Sequence, residues 1–231
     1  MKVIALIPAY NEEATIAEVL QKTKPFVDGM IVVNDGSWDR TSQIAQGQGA
    51  VVVSHVVNRG LGAAIGTGFA AAKCLGADVV VTLDADGQHD PHEIQKFVAA
   101  IEAGADVVIG SRLLEDTSPC QGEVGRGRMP LHRKVANTIG NLVTFLLFGA
   151  WVTDSQSGFR AFTRFALSKI EIKTNRMEVS SELIAEARRH ELNLVEVPIK
   201  AIYTDYSLSK GQNFFVGIKT VLKLVVRRLM S

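Results

Sequence analysis

Two carboxylates one residue apart, in Asp84-Ala85-Asp86-Gly87-Gln88-His89-Asp90-Pro91, follow directly on the apolar run Val79–Leu83. That run is rich in β-branched residues and reads as a buried strand. Adjacent carboxylates repel one another and are costly without a cation. A hard oxygen site favours Mg²⁺ or Mn²⁺, commonly shared with substrate phosphates. Taken alone, the pair is equally an acidic solvated turn, so the metal–diphosphate reading needs partners. Three further apolar runs supply them by ending in polar clusters: Pro8-Ala9-Tyr10-Asn11-Glu12-Glu13, Asn34-Asp35-Gly36-Ser37 and Gly110-Ser111-Arg112. Parallel strands bring their carboxyl ends to one edge, and that edge is where α/β sheets bind ligands.

The elements that must hold these clusters follow from periodicity and punctuation. Strands are predicted at Lys2–Pro8, Met30–Asn34, Val51–Val53, Val79–Leu83 and Asp106–Ile109. Between them lie a helix capped by Asn11, with Ile16, Val19 and Leu20 at helical spacing, and one capped by Ser37. The small-residue helix Leu61–Leu75 and the helix Asp90–Glu102 complete this half. In the last of these, Asp90 is the N-cap, Pro91 the first helical residue, and Glu93 sits at the capping-box position. Strands that are apolar throughout and alternate with helices imply a mostly parallel sheet covered on both faces.

After Arg112 the pattern changes. Leu113–Arg128 reads as a long loop, Leu131–Phe148 as a long helix, and residues 154–160 as a polar turn. Helices are expected near Arg164–Ile170 and Ser180–Arg189, short strands at Leu192–Val197 and Ile199–Tyr203, and a final helix at Asn213–Met230.

The chain has 231 residues, 47% hydrophobic and 21% charged, with a formal net charge of +1. This is a globular composition with room for an ample core, and the balanced charge does not suggest a nucleic-acid partner. Cys74 and Cys120 form no metal spacing or disulfide framework, which fits a reducing cytosol. No signal-peptide pattern opens the sequence, and no apolar run reaches the ~20 residues of a membrane span. From Lys200 to Ser231 six basic residues face one acid, Asp205. On a helix from Asn213, Phe214, Phe215, Ile218, Val221, Leu222, Val225 and Leu229 share a face, with Lys219, Lys223 and Arg227 on another. Such a helix either binds an anionic membrane surface or docks on the core. Ile139–Val152 is a second candidate for the lipid side. The expectation is a cytoplasmic protein, peripheral on the cytoplasmic face of a membrane.

The ordered set of motifs resembles the family 2, GT-A-type glycosyltransferases, close to the dolichyl-phosphate (polyprenyl-phosphate) mannose and glucose synthases. The resemblance rests on the four clusters above and on Asn-Arg-Gly-Leu-Gly-Ala-Ala at 58–64. It continues through Arg133…Asn137…Asn141, Thr-Asp-Ser-Gln-Ser-Gly-Phe-Arg at 153–160, Glu-Val-Pro-Ile at 196–199 and Ser209-Lys210. It implies a GT-A domain over 1–211, with a nucleotide-binding half at about 1–112, an acceptor half at about 113–211, and a C-terminal amphipathic helix over 212–231. It also implies an inverting, metal-dependent transfer of a hexose from a GDP- or UDP-sugar to a polyprenyl phosphate. Two alternatives stay open: the same donor with a saccharide or other hydroxyl acceptor, and a non-catalytic membrane-binding homologue. Sugar, base and oligomeric state are not given by the sequence.

Residue by residue, the resemblance places Pro8, Tyr10, Glu12, Val33, Asp35, Asp84, Ala85 and Asp86 around the nucleotide, with strand-end packing the plainer reading for Pro8 and Val33. A carboxylate at Asp35 accepts from uracil N–H and equally from guanine N–H groups. Asp84 would face the ribose side, while Asp86 and the Gln88 amide would hold Mg²⁺ or Mn²⁺. His89 is expected at the surface. Arg112, Arg133, Arg160 and Lys210 are the candidates for phosphate or acceptor contacts, with Lys134 beside them. Asp154 occupies the position of the general base in many relatives. A phosphate acceptor, with a second pKa near ~6, is largely a dianion at neutral pH and needs no base, so Asp154 would then orient the acceptor or Arg160. One departure stands out: Thr204 sits six residues before Lys210, where dolichyl-phosphate mannose synthases carry arginine. The Gly60-Leu-Gly62-Ala-Ala-Ile-Gly66 stretch lacks the third glycine spacing of a dinucleotide fingerprint, since Ile65 occupies it. Its glycines are expected to let a helix approach the sheet.

Overall fold

The computed structural model describes residues 1–114, 138, 141, 142, 145, 146, 149, 151–200 and 202. Seven strands form one sheet: β1 (Val3–Ala9), β2 (Gly29–Asn34), β3 (Val51–Ser54), β4 (Val79–Thr82), β5 (Val107–Ser111), β6 (Arg160–Thr163) and β7 (Leu194–Pro198). Their order is β3-β2-β1-β4-β6-β5-β7. All neighbours are parallel except β6, which runs antiparallel to β4 and β5.

Alternation along β1 shows why both faces are covered. Val3, Ala5, Ile7 and Ala9 enter one apolar layer, and Ile4 and Leu6 enter the other. The first layer is closed by α1 (Ile16–Thr23), α2 (Thr41–Gly47) and α4 (Ile94–Glu102); the second by α3 (Leu61–Cys74), α5 (Arg164–Lys169) and α6 (Val179–Arg189). The small residues of α3 let it lie close to the sheet. A Cβ on Gly68 would collide with the Leu6 side chain. Gly60 and Gly62 serve another contact, since their Cβ positions run into the backbone of Thr174 and Asn175 rather than the sheet.

Several expectations need correction. Strand β6 falls where the sequence shows a polar turn running into a helix, and it occupies the middle of the sheet. Asn11 does not cap α1; it has φ 54°, and its side-chain oxygen accepts from Trp38 N–H. Ser37 does not cap α2 either, because its hydroxyl accepts from Asn11 N–H, while Asp39 takes the Thr41 amide. Asp90 does accept from His92 N–H, with Pro91 opening a 3-10 turn (Pro91–Glu93) ahead of α4. Glu93, the last residue of that turn, pairs with Lys96 of α4. Ile199 follows β7 without continuing the strand. The predicted loop after Leu114, most of the helix at 131–148 and the C-terminal helix lie outside the described residues, as do Arg133, Lys134, Lys210 and Thr204.

Candidate active site

The carboxyl edge of β1, β2, β4 and β5 collects the candidate residues. A small cleft lined by Pro8, Leu61, Ile65, Asp84, Gly158 and Arg160 among others opens between that edge and α3. Asp84, at the end of β4, keeps 44% of its side chain exposed there. Gly158 abuts it so closely that a Cβ would stand 2.5 Å from Asp84 Oδ1. The Gly158 carbonyl is fixed in turn by the Thr82 hydroxyl, at 2.7 Å.

Burial raises the pKa of Asp84 above the ordinary carboxylate range, partly offset by the charges of Arg112 and Arg160. Asp86 is raised by burial and then by the charge of Asp84. Gln88 responds to this charge: its backbone N–H donates to Asp86 Oδ1 at 3.0 Å and its amide NH₂ donates to Asp86 Oδ2. His89 Nε2 lies 3.7 Å from Asp84 Oδ2. His89 brings no charge. It is 6% exposed, against the expectation of a surface position, and burial lowers its pKa to about 4. Its Nδ1 accepts from the Asp84 backbone N–H at 3.1 Å, so the neutral ring carries its proton on Nε2, facing the Asp84 carboxylate. The ring stacks on Phe159, which stacks on Phe97.

Arg112 and Asp154 meet each other. Arg112 donates through its backbone N–H and Nε to Asp154 Oδ2, and through Nη2 to Oδ1, the side-chain pair at 2.7 and 2.8 Å. Asp154 is fully buried. A carboxylate held in a bidentate fork by an arginine is a weak proton acceptor. The loop that carries it hangs from Glu196 on β7, which accepts from the Thr153 backbone N–H, the Thr153 hydroxyl and the Asp154 N–H. The Ser111 and Thr153 hydroxyls are also bonded, at 2.6 Å.

Arg160 is placed differently from the expectation. Arg160 is buried and spends its guanidinium on the carbonyls of Ser155, Ser157 and Ser180, so it braces the loop rather than facing an acceptor. Burial lowers its pKa to about 10, and it stays protonated at neutral pH. Val33 is wholly buried in the core with Ala64 and Ile65, and Ala85 is a core residue on the opposite layer. Their side chains pack the strand ends. Glu12 receives the Thr15 hydroxyl, and its backbone N–H donates to Thr41. Tyr10 is exposed at the rim and Pro8 lines the cleft. Asp35 is buried and accepts from His55 Nδ1 and the Arg59 N–H on one oxygen and from the Gly60 N–H on the other. His55 and Gly158 were given no role from the sequence, and His89 was expected at the surface, because only their surroundings mark them. Glu196 did carry a signal, in Glu-Val-Pro-Ile, but no role.

A mostly parallel sheet with paired aspartates at the end of β4 and an antiparallel β6 beside it is the architecture of a GT-A transferase. Glucosyl-3-phosphoglycerate synthase from Mycobacterium tuberculosis, solved with Mn²⁺, UDP and glucosyl-3-phosphoglycerate, shares it: the TM-score is 0.72 at 22% identity, over 98% of this chain and 79% of that one. The chain belongs to glycosyl transferase family 2, whose model matches residues 4–170, and it is a glycosyltransferase. An uncharacterised protein of Methanocaldococcus jannaschii is 42% identical over 99% of this chain and 93% of its own length. The UDP-N-acetylglucosamine–dolichyl-phosphate N-acetylglucosaminyltransferase of Methanococcus voltae is 38% identical, over 97% of this chain and 95% of that protein. The undecaprenyl-phosphate mannosyltransferase of Micrococcus luteus is 31% identical, over 94% and 90%.

Proposed function

We propose that this glycosyltransferase moves a hexose from a nucleotide-sugar to a polyprenyl phosphate, with inversion, and with Mg²⁺ or Mn²⁺ held at Asp84 and Asp86. One observation carries the metal reading: two neighbouring carboxylates follow β4, Asp86 is raised by burial and then by the charge of Asp84, and the Gln88 side chain is held on Asp86. The donor set fits a hard cation, with Asp84 and Asp86 as carboxylate ligands and the Gln88 amide able to exchange its bond to Asp86 for the ion. Among the described residues no third His, Cys, Asp or Glu joins them, so a diphosphate would complete the coordination. The bound ion would supply positive charge that stabilises the departing nucleoside diphosphate.

The chain's own groups do the rest. Asp154 orients Arg112, whose planar fork at the strand end suits phosphate oxygens. Its saturation by arginine favours an acceptor that is already an anion over a hydroxyl that must lose a proton. Displacement at the anomeric carbon is then a single in-line step, with no enzyme nucleophile. The names of the relatives from Methanococcus voltae and Micrococcus luteus support a lipid-phosphate acceptor. Among the described residues no helix is long and apolar enough to cross a membrane. A lipid-phosphate acceptor would be met at a membrane surface, and the reading is of a peripheral protein on the cytoplasmic face. Leu142, Phe145, Leu146 and Trp151 are exposed and agree with a lipid-facing side.

The test is incubation with UDP- and GDP-sugars, Mg²⁺ or Mn²⁺, and a short-chain polyprenyl phosphate. The expected result is a glycosyl phospholipid, abolished by chelator and by Asp86→Asn. Transfer to sugar hydroxyls but not to the lipid phosphate overturns the acceptor; transfer indifferent to chelator overturns the metal. Vesicle flotation with and without residues 212–231 checks the membrane contact, and equal partitioning removes that helix from it.

A further inference from the structure

The geometry points to uracil, and not guanine, as the base that Asp35 accepts, with His55 as the residue that makes the distinction. This rests on the reading of the sheet's carboxyl edge, where β2 runs into Asp35, as a nucleotide-sugar site. A carboxylate offers about four acceptor directions, and three of Asp35's are filled by the protein. Oδ1 takes His55 Nδ1 at 2.7 Å and the Arg59 backbone N–H at 2.9 Å; Oδ2 takes the Gly60 N–H at 2.7 Å. One direction on one oxygen remains.

The imide edge of uracil brings a single N–H and is satisfied by that one acceptor. The corresponding edge of guanine brings two parallel donors, N1–H and N2–H, which need both oxygens of the carboxylate. With Oδ1 doubly occupied, one guanine donor would be buried without a partner. The occupation of Oδ1 does not depend on the charge of His55. Neutral or protonated, the ring must carry hydrogen on Nδ1 to meet a carboxylate, and its Nε2 is fixed by the Thr67 hydroxyl of α3 at 2.9 Å. Both side chains are buried, with 7% and 6% exposure, so water does not replace either partner.

The surroundings agree with a flat base. Trp38 is 83% exposed and Val57 64%. Gly36 is pressed on the Val57 backbone, and Trp38 N–H is tied to Asn11 beside Tyr10. These large side chains lie open at the rim, where a base could stack.

Calorimetric titration of the protein with UDP, GDP, CDP and N3-methyl-UDP at saturating Mn²⁺ tests the inference. The expected order is UDP first, with GDP, CDP and N3-methyl-UDP each at least ~tenfold weaker, the cost of a buried donor or acceptor left unpaired. His55→Ala frees an acceptor direction on Oδ1 and should narrow the UDP-to-GDP ratio, whereas Thr67→Val, which leaves His55 Nδ1 in place, should keep it. GDP binding as tightly as UDP, or N3-methyl-UDP binding like UDP, overturns the base assignment and leaves the transferase reading standing. Failure of every nucleoside diphosphate to bind overturns the nucleotide site itself and the base assignment with it.

Discussion

Replacing Gly158 by alanine should remove catalysis while leaving the fold intact. The backbone of Gly158 is not in the left-handed region, so alanine fits its conformation, and the substitution alone stabilises by about 0.4–1 kcal/mol through the unfolded chain. The new methyl, however, would stand 2.5 Å from Asp84 Oδ1, 2.7 Å from Oδ2 and 2.9 Å from Cγ, where ordinary contact begins at 3.4 Å. The carboxylate must therefore retreat by roughly 0.9 Å, the difference between 2.5 and 3.4 Å. It can do so because it is the end of a side chain at an open cleft. A displacement near ~1 Å at a positioned group costs on the order of 10²-fold in rate. The assay is kcat/KM for sugar transfer together with thermal melting, and Mn²⁺-dependent nucleotide binding as a second readout. Gly62→Ala is the contrast: its methyl would meet the backbone of Thr174 and Asn175, which cannot step aside, so it should lower the melting temperature. Wild-type activity in Gly158→Ala, or a melting temperature that falls as far as that of Gly62→Ala, would refute the reasoning.

Three further outcomes follow from the same contacts. The folded protein keeps His89 neutral down to about pH 4, whereas an unfolded chain protonates it near 6.5, so the unfolded state binds the extra proton between those values and stability falls as pH drops through that window. The loss totals about 3 kcal/mol, and urea denaturation at several pH values should show a flatter acid limb in His89→Phe, which keeps the stack on Phe159. Asp154→Ala removes the carboxylate that Arg112 holds in its fork and should cost about 3 kcal/mol in urea unfolding, with activity lost even toward a phosphate acceptor. Because burial holds the Asp84 and Asp86 carboxyls above their ordinary range, Mn²⁺ affinity should weaken as pH falls; calorimetry in two buffers of different ionisation enthalpy reads the protons released.

The parallel half of the fold was legible because its signal is local. Val79–Leu83 and Lys2–Pro8 are apolar on both faces, and only a strand covered on both sides requires that. The position of the Asp-x-Asp pair at a strand end was legible for the same reason, whereas its chemistry needed the other strand ends, since the pair alone is equally an acidic turn. The boundaries of β4, α3 and α4 shift little from expectation. Strand β6 was not legible: Arg160-Ala161-Phe162-Thr163 has no β-branched run, and its pairing comes from β4 and β5, about eighty and fifty residues away in the chain. That insertion sets Gly158 against Asp84, locks Arg160 into the loop carbonyls and delivers Asp154 to Arg112.

The sequence by itself therefore determined which groups gather at the carboxyl edge, because the periodicity of each strand dictates where its polar end must emerge. Only the tertiary structure decided how those groups share their bonds. Asp35 and Asp154 look like free carboxylates in the chain, yet one is nearly saturated by His55 and two backbone amides and the other is claimed by an arginine. His89 reads as one more polar residue after an acidic turn, yet it lies beneath Asp84 as a neutral ring. The physical reason is common to all three: the charge and remaining valence of a buried polar group are set by neighbours that close packing brings from distant parts of the chain.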